Sequence, residues 1–283
     1  MSTVYGLVGH PVSHSLSPAM HNAAFKALGL DCEYRLFDVP PGSFESFLDG
    51  LLLKGIAGVN VTIPHKIAAW GHLSRKGELD SEANTLGSVN TVKVSGSILQ
   101  GFSTDGAGFS RSVKEDLGFS PERKKICFIG AGGAARAIIM HLGNAPEKIF
   151  VYDLAASSAT TLKMFYGKRF DDHRLQVVAQ ADLEQAIGTS DLIVNATPVG
   201  MKENDPMPIA EGLLRGNKSV YDIVYNRPET KLVSAARKNG LRAATGLGML
   251  LFQGAIAFEI WTGRIPPVHI MRKALKEEID TCL

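Results

Sequence analysis

"KICFIGAGGAARAIIMHL", Lys125 to Leu142, decides how this chain is to be read. A short apolar run suited to a buried strand meets a cluster of glycines, and an alanine-rich helical segment follows. Gly130, Gly132 and Ala135 stand in the G-x-G-x-x-A spacing. Gly130 permits a tight turn, Gly132 lets backbone amides approach a pyrophosphate, and Ala135 lets the helix pack close to the strand. The anion then sits on the helix N-terminus. The next strand, "KIFVYD", ends on Asp153, 21 residues beyond Gly132. An acid there accepts hydrogen bonds from the adenosine ribose, so strand, turn, helix and acid together predict a dinucleotide site.

Outward from this segment the pattern repeats. "LQVVAQ", "DLIVNAT" and "SVYDIVY" read as further buried strands separated by helical stretches, which predicts a doubly wound parallel sheet. On the N-terminal side, "VYGLVG" (Val4 to Gly9), "EYRLFDV" and "GIAGVNVTI" read as strands. Ser17 and Pro18 suit the N-cap and first position of a helix, and Ser43 to Leu53 suits another. "SVNTVKVSGSILQGFSTD" reads as an antiparallel pair turned at Ser95 and Gly96 that closes this first sheet at one edge. A helix from Gly106 to Leu117 leads to the second unit. From about Gly248 the chain is helical, and Lys273 to Asp280 give a solvated, charged helix face.

At 283 residues the chain has room for two medium α/β domains. Hydrophobic residues make up 45% and charged residues 20%, a globular balance, and a net charge of +2 gives no case for nucleic acid. Arg123 to Lys125 read as the solvated entry to a strand. Cys32, Cys127 and Cys282 are odd in number and widely spaced, which supports neither a disulfide framework nor a metal site. The N-terminus lacks a signal-peptide pattern and no apolar run reaches membrane-spanning length, so a cytoplasmic location is expected.

Three polar clusters follow strands of the first unit, where ligands of open α/β sheets bind. They are "SHSLS", "TIPHK" and "STD", and with Asn90 they supply Ser15, Ser17, Thr62, Lys66 and Asp105. Such a set suits a small polyhydroxylated carboxylate: hydroxyls grip the acid, an amide and a carboxylate grip ring hydroxyls, and a lysine moves a proton. Taken singly, each residue has another reading. Ser17 fits a helix cap, Asn90 a turn, Asp105 the cap of the following helix and Lys66 a solvated cation.

The ordered series "GHPVSHSLSPAMHNAAF", "GVNVTIPHK", "GSVNTV", "STDGAGF", "GAGGAARA", "NATPVGM", "YDIVYNRPET" and "GLGMLLFQGAIAFEIWTG" closely resembles the motifs of the shikimate dehydrogenase family, which includes quinate/shikimate dehydrogenases. The likeness spans essentially the whole chain. It implies an N-terminal three-layer α/β substrate domain over residues 1–104. A Rossmann dinucleotide-binding domain over 105–245 and C-terminal helices over 246–283 that return to the first domain complete the plan. The family's catalytic lysine and its partner aspartate fall on Lys66 and Asp105. Its substrate contacts fall on Ser15, Ser17, Thr62, Asn90, Tyr225 and Gln253. Its cofactor contacts fall on Gly130, Ala131, Gly132, Gly133, Ala134, Asp153, Thr197, Ile223 and Gly246. His10, His14, His21 and His65 lie near these motifs but are left out of catalysis, because Lys66 already supplies the proton transfer. No metal is implied.

The resemblance implies interconversion of 3-dehydroshikimate and shikimate with NAD or NADP, by a monomer or homodimer. A dual quinate/shikimate dehydrogenase is the alternative within the same chemistry, and a non-catalytic dinucleotide-dependent regulator is the alternative of another class. Two positions depart from the family pattern. Ser103 stands where Asn is frequent, and Asp153-Leu154-Ala155 replaces the Asn-Arg-Thr stretch of many NADP users. A carboxylate at ~4 Å from a 2′-phosphate is repelled by roughly 1 to 4 kcal/mol, and "LAASSA" brings no Arg to hold that phosphate. NAD is therefore the expected cofactor, with NADP possible.

Overall fold

The computed structural model describes residues 2–281, so Cys282 lies outside the described residues. The chain divides into two compact units, one formed by residues up to Asp105 together with those from Leu251 onward, the other by Gly106–Leu250. The sequence reading set its breaks after residues 104 and 245.

The first unit contains β1 (Thr3–Gly9), α1 (Ser17–Ala27), β2 (Cys32–Asp38), α2 (Phe44–Asp49), β3 (Ile56–Val61), α3 (Lys66–Lys76), β4 (Glu78–Leu79), α4 (Ser81–Leu86), β5 (Thr91–Ser95) and β6 (Ile98–Phe102). After β6 come α5 (Asp105–Leu117), β7 (Lys125–Ile129), α6 (Gly133–Leu142), β8 (Lys148–Tyr152), α7 (Ala156–Gly167), β9 (Leu175–Val177), α8 (Leu183–Thr189), β10 (Leu192–Asn195), β11 (Ser219–Asp222), α9 (Lys231–Lys238) and β12 (Arg242–Thr245). Two helices, α10 (Leu247–Thr262) and α11 (Val268–Thr281), end the described chain.

Among the described residues the first sheet has the order β2-β1-β3-β5-β6-β4. β1 runs parallel to β2 and β3, and β5 and β6 pair antiparallel in register Ser95 to Ile98 across the expected turn. The hairpin does not close the edge, however. The two-residue β4 pairs in parallel outside β6, a strand too short to leave a periodic signal. β3 is buried along nearly its whole length, as a central strand covered on both faces must be. Its Val59 and Val61 pack with Val8, Phe44, Phe47, Leu48, Leu73 and Val92. The C-terminal helices belong here too: α11 packs on α1, and the Trp261 indole N–H of α10 donates to the Val92 carbonyl at 3.0 Å.

Two local expectations need correction. The helix expected from Ser43 to Leu53 is only α2, preceded by a 3₁₀ turn at Pro41–Ser43 and stopped at Gly50; Leu51 turns into the core while Leu53 is left exposed. Ser17 is not an N-cap. Leu16 takes that position, and the Ser17 N–H is satisfied by the Ser15 hydroxyl oxygen at 3.2 Å. The Ser17 side chain is thereby released from capping duty.

The second sheet, order β12-β11-β10-β7-β8-β9, is parallel throughout. This is the doubly wound arrangement, and the strand order reverses between β7 and β10. β12 was missed because "RAAT" carries no β-branched run; it is a strand through its pairing with β11.

His21 of α1 is fully buried, stacked parallel on Tyr34 at 4.3 Å and surrounded by Phe25, Phe258 and Trp261. Neither ring nitrogen has a hydrogen-bond partner among the described residues. Burial pushes its pKa down to about 3, below the unfolded value of 6.5. The unfolded chain therefore binds the extra proton in this window, and stability is lost as pH falls from 6.5 toward 3. His21→Phe should reduce the slope of unfolding free energy against pH by about 1.4 kcal/mol per pH unit in that range. Denaturant titrations at pH 4.5 to 6.5 check this, and an unchanged slope counts against a neutral buried imidazole.

Candidate active site

In the first unit, β3 ends at Val61 and the chain turns through Thr62, Ile63, Pro64 and His65 into α3, whose first residue is Lys66. Backbone bonds hold this turn: the Thr62 N–H donates to Val8 O at 2.9 Å, His10 N–H to Ile63 O at 3.0 Å and His65 N–H to Thr62 O at 2.9 Å. Val61 N–H donates to Asn90 O (2.8 Å), Val89 N–H to Lys66 O (3.0 Å) and Asn90 N–H to Phe102 O (3.0 Å). Three segments distant in sequence are thus laid side by side at the strand ends.

On this frame the Lys66 ammonium donates to Asp105 Oδ2 at 2.6 Å, and the Asn90 amide donates to Asp105 Oδ1 at 2.9 Å. The Lys66 side chain is 31% exposed and that of Asp105 12%, so the pair is partly desolvated and its hydrogen bond charge-assisted. Asp105 opens α5, but its carboxylate oxygens face Lys66 and Asn90. Asn90 is buried, with Oδ1 accepting from the Thr104 N–H at 2.9 Å, which makes it a packed network residue and not a turn residue. Ser15 and Ser17 come together at the start of α1. Thr62 is half-buried in the turn, and Gln253 lies on α10 in the same unit. The four histidines go elsewhere: His10 pairs with Asp38, His14 is exposed, His21 is in the core, and His65 stacks on Phe44 and donates to the Val39 carbonyl at 2.6 Å.

In the second unit the expected cofactor residues line up along the carboxyl ends of adjacent parallel strands. Gly130 follows β7, Asp153 follows β8, Thr197 lies just beyond β10, Ile223 follows β11 and Gly246 follows β12. Gly130 has φ +102, and a Cβ there would meet Ala196 O at 2.8 Å, so only glycine fits. Over Gly132 and Gly133 a Cβ would meet nothing within 4 Å. This open cradle at the N-terminus of α6 fits a pyrophosphate. The Asp153 carboxylate accepts from Ala131 N–H and Ala155 N–H, each at 2.8 Å, one on each oxygen. Asn195 Oδ1 accepts from Thr197 Oγ1 at 2.7 Å, and its amide donates to the buried Asp222 at 2.8 Å. Burial raises the Asp222 pKa, against hydrogen bonds from Thr230, Val224 and Asn195. Tyr225, the remaining expected substrate contact, lies in this second unit, 37% exposed beyond β11.

Sequence reading missed the flank of the glycine turn. A pocket of about 320 Å³ beside Ala131 is lined by Arg136, Ser157, Ser158, Thr161 and Phe165. The Arg136 guanidinium lies 3.9 Å over the Phe165 ring, and burial followed by the nearby Arg169 charge lowers its pKa. Arg136 sits on the helix after the glycines, not in the loop after β8 where a phosphate clamp was sought. The i+3 and i+4 spacing of helical neighbours would have flagged it beside Gly132 and Gly133.

Residues 7–92 match the family described as "Shikimate dehydrogenase substrate binding domain", and residues 246–276 match "Shikimate 5'-dehydrogenase C-terminal domain". The shikimate dehydrogenase (NADP(+)) of Methanopyrus kandleri is 42% identical over 282 residues, 98% of this chain and 96% of that protein. A crystal structure of a shikimate dehydrogenase in complex with NADP+ is 37% identical with a TM-score of 0.90, covering 98% of this chain and 96% of that one. The Listeria monocytogenes shikimate 5-dehydrogenase in complex with shikimate and NAD is 34% identical with a TM-score of 0.88, covering 97% and 96%.

The open cradle generates a direct test. Gly132 has φ −73 and ψ −171, which any residue adopts, so Gly132→Val should leave thermal stability near wild type. The same change fills the space offered to a pyrophosphate and should weaken dinucleotide affinity by about tenfold or more, a loss of about 1.4 kcal/mol. Fluorescence titration with the dinucleotide, beside a melting curve, checks both halves.

Proposed function

The chain belongs to the shikimate dehydrogenase family, and we propose that it interconverts 3-dehydroshikimate and shikimate, with Lys66 and Asp105 handling the proton. The observation that carries this reading is the 2.6 Å Lys66 to Asp105 contact at the carboxyl end of the first sheet. The nicotinamide dinucleotide supplies or accepts the hydride. In the reducing direction the ketone oxygen must gain a proton, and the Lys66 ammonium is the donor. In the oxidising direction the neutral Lys66 amine takes the hydroxyl proton, and Asp105 stabilises the ammonium that results. Ser15 and Ser17 are the hydroxyl pair for the substrate carboxylate, and Asn90 holds Asp105 while its own oxygen is engaged by Thr104. Thr62, Gln253 and Tyr225 complete the proposed substrate contacts. Relatives named for shikimate rather than quinate favour the first of the two acids.

For the cofactor we propose NAD over NADP. Asp153 is the support: its two oxygens are tied to the turn by Ala131 and Ala155, so it has no freedom to swing away from a 2′-phosphate. A second reading is favoured by a specific observation. Arg136, Ser157 and Ser158 line the pocket beside the turn, a set able to bind a phosphate, and relatives of this chain are named for NADP(+).

Lys66→Ala should lower kcat by roughly 10²-fold or more while dinucleotide affinity stays unchanged. Turnover within a few-fold of wild type removes the proton-transfer assignment. Initial rates with shikimate and quinate, each with NAD and NADP, settle substrate and cofactor together. The expected outcome is kcat/KM highest for shikimate with NAD, by about tenfold over NADP as a repulsion of about 1.4 kcal/mol requires. A higher value with NADP establishes the Arg136 reading instead.

A further inference from the structure

We propose that Tyr34, Asn60 and Thr91 form a one-way chain of hydrogen-bond donors that positions Asn90 and, through it, the Asp105 carboxylate that receives Lys66. The inference rests on the reading of Lys66 and Asp105 as the proton-handling pair.

Asn60 is the anomaly that points to it. It stands one residue from the end of β3, between Val59 and Val61 and only 4% exposed, where an amide is costly unless its groups are satisfied. The Tyr34 hydroxyl donates to Asn60 Oδ1 at 2.8 Å. A phenol can give or accept, but the Asn90 backbone carbonyl, 3.4 Å from Asn60 Nδ2, can only accept, and this turns the amide nitrogen toward Asn90 and its oxygen toward Tyr34. Asn60 Nδ2 then donates to Thr91 Oγ1 at 3.1 Å. Thr91, having accepted there, passes its own proton to Asn90 Oδ1 at 3.1 Å. Asn90 Nδ2 finally donates to Asp105 Oδ1 at 2.9 Å.

Every sense in this sequence is determined. The Thr104 N–H, which can only donate, also faces Asn90 Oδ1, and Asp105 can only accept, so a flipped Asn90 would set oxygen against carboxylate. Thr104 therefore decides which way Asn90 faces, and the chain behind it decides where Asn90 stands. Tyr34, Thr91, Asn90 and Asp105 are all buried, so no link is held by solvent. At its far end the chain is clamped, because the Tyr34 ring lies parallel to His21 and its hydroxyl is also bonded by Ser17. Ser17 is one of the two hydroxyls proposed for the substrate carboxylate. The network thus links the proposed grip on the acid to the pair proposed to move the proton, with Tyr34, Asn60 and Thr91 as positioning residues that act through Asn90.

The test is a steady-state series on the full chain with Tyr34→Phe, Thr91→Val, their double variant, Thr91→Ser and Lys66→Ala. Tyr34→Phe and Thr91→Val should each lower kcat about fivefold, the scale of one hydrogen bond. KM for the dinucleotide should stay within about twofold of wild type, since the chain lies wholly in the first unit. Thr91→Ser, which keeps the hydroxyl, should retain kcat. The double variant should be no worse than the poorer single, since links in series share one loss. Thr91→Val is close to the native shape and carries the test if Tyr34→Phe does not fold. Unchanged kcat in the single variants overturns the proposal, as do losses that multiply in the double, or a Thr91→Ser variant as slow as Thr91→Val. Lys66→Ala separates the two levels. Retained turnover there removes the proton-handling reading and the inference with it, whereas a lost turnover beside unaffected chain variants removes the inference alone.

Discussion

The contact between the Lys66 ammonium and the Asp105 carboxylate organises the first unit. Each residue is the first of a helix, Lys66 of α3 and Asp105 of α5. The positive end of the helix dipole favours Asp105 and disfavours Lys66, by about 0.3–1 kcal/mol for an exposed charge. A cation at that position breaks a local rule, and such breaks collect at functional sites. The aspartate resolves the conflict, with an opposite charge at 2.6 Å outweighing a helix end. Burial would make the pair expensive if its other groups were unmet. Asn90 meets the second carboxylate oxygen, and the partial exposure of Lys66 spares the ammonium full desolvation.

The same pair explains why the surrounding backbone is tied so closely. Lys66 and Asp105 are far apart in the chain, and a lysine side chain can adopt many rotamers. A contact of this length is reproducible only if both backbones are fixed. The bonds from Val61 to Asn90, Val89 to Lys66 and Asn90 to Phe102 do this. They are made just past the ladders, where strand pairing no longer satisfies the backbone and each group needs its own partner. These bonds tie the turn after β3 and the segment before β5 to one another.

The sequence made some of this legible and hid the rest for physical reasons. The strand, glycine turn, helix and acid around Gly130 could be read because each has a steric or electrostatic requirement that few residues meet. The motif order brought Lys66 and Asp105 to notice, but neither periodicity nor spacing could show that they touch, since that depends on a contact of high sequence separation. Ser17 was misread as a cap because serine next to proline fits that role locally, while burial against Tyr34 is a tertiary fact. β4 and β12 escaped because strands of two and four residues owe their existence to their neighbours. The pocket flank at Arg136 is hidden in the sequence because the cation belongs to α6 and not to the loop after β8, where a phosphate clamp follows the acid in the chain. Asn60 could be seen in the sequence as a polar residue within a run of valines, yet the donor sequence it belongs to exists only in three dimensions.

The cofactor choice proposed for the second unit would be tied to the fold itself through Asp153. A surface acid facing a phosphate could turn away at the cost of a rotamer, about 0.5–1.5 kcal/mol. Asp153 cannot do so without releasing the Ala131 and Ala155 amides, and the first of these belongs to the glycine turn proposed for the pyrophosphate. Accommodating a 2′-phosphate by moving this side chain would therefore disturb the proposed site for the rest of the dinucleotide. The ribose of NAD asks for nothing of the kind, because a carboxylate oxygen holding one N–H keeps a lone pair for a hydroxyl. Arg136, on the pocket beside Ala131, would act in the opposite sense, with its guanidinium already laid on Phe165. To take the phosphate it must leave or share that ring, a contact worth about 0.5–2 kcal/mol. Of the two opposed charges in the proposal, the carboxylate built into the turn is the harder to displace.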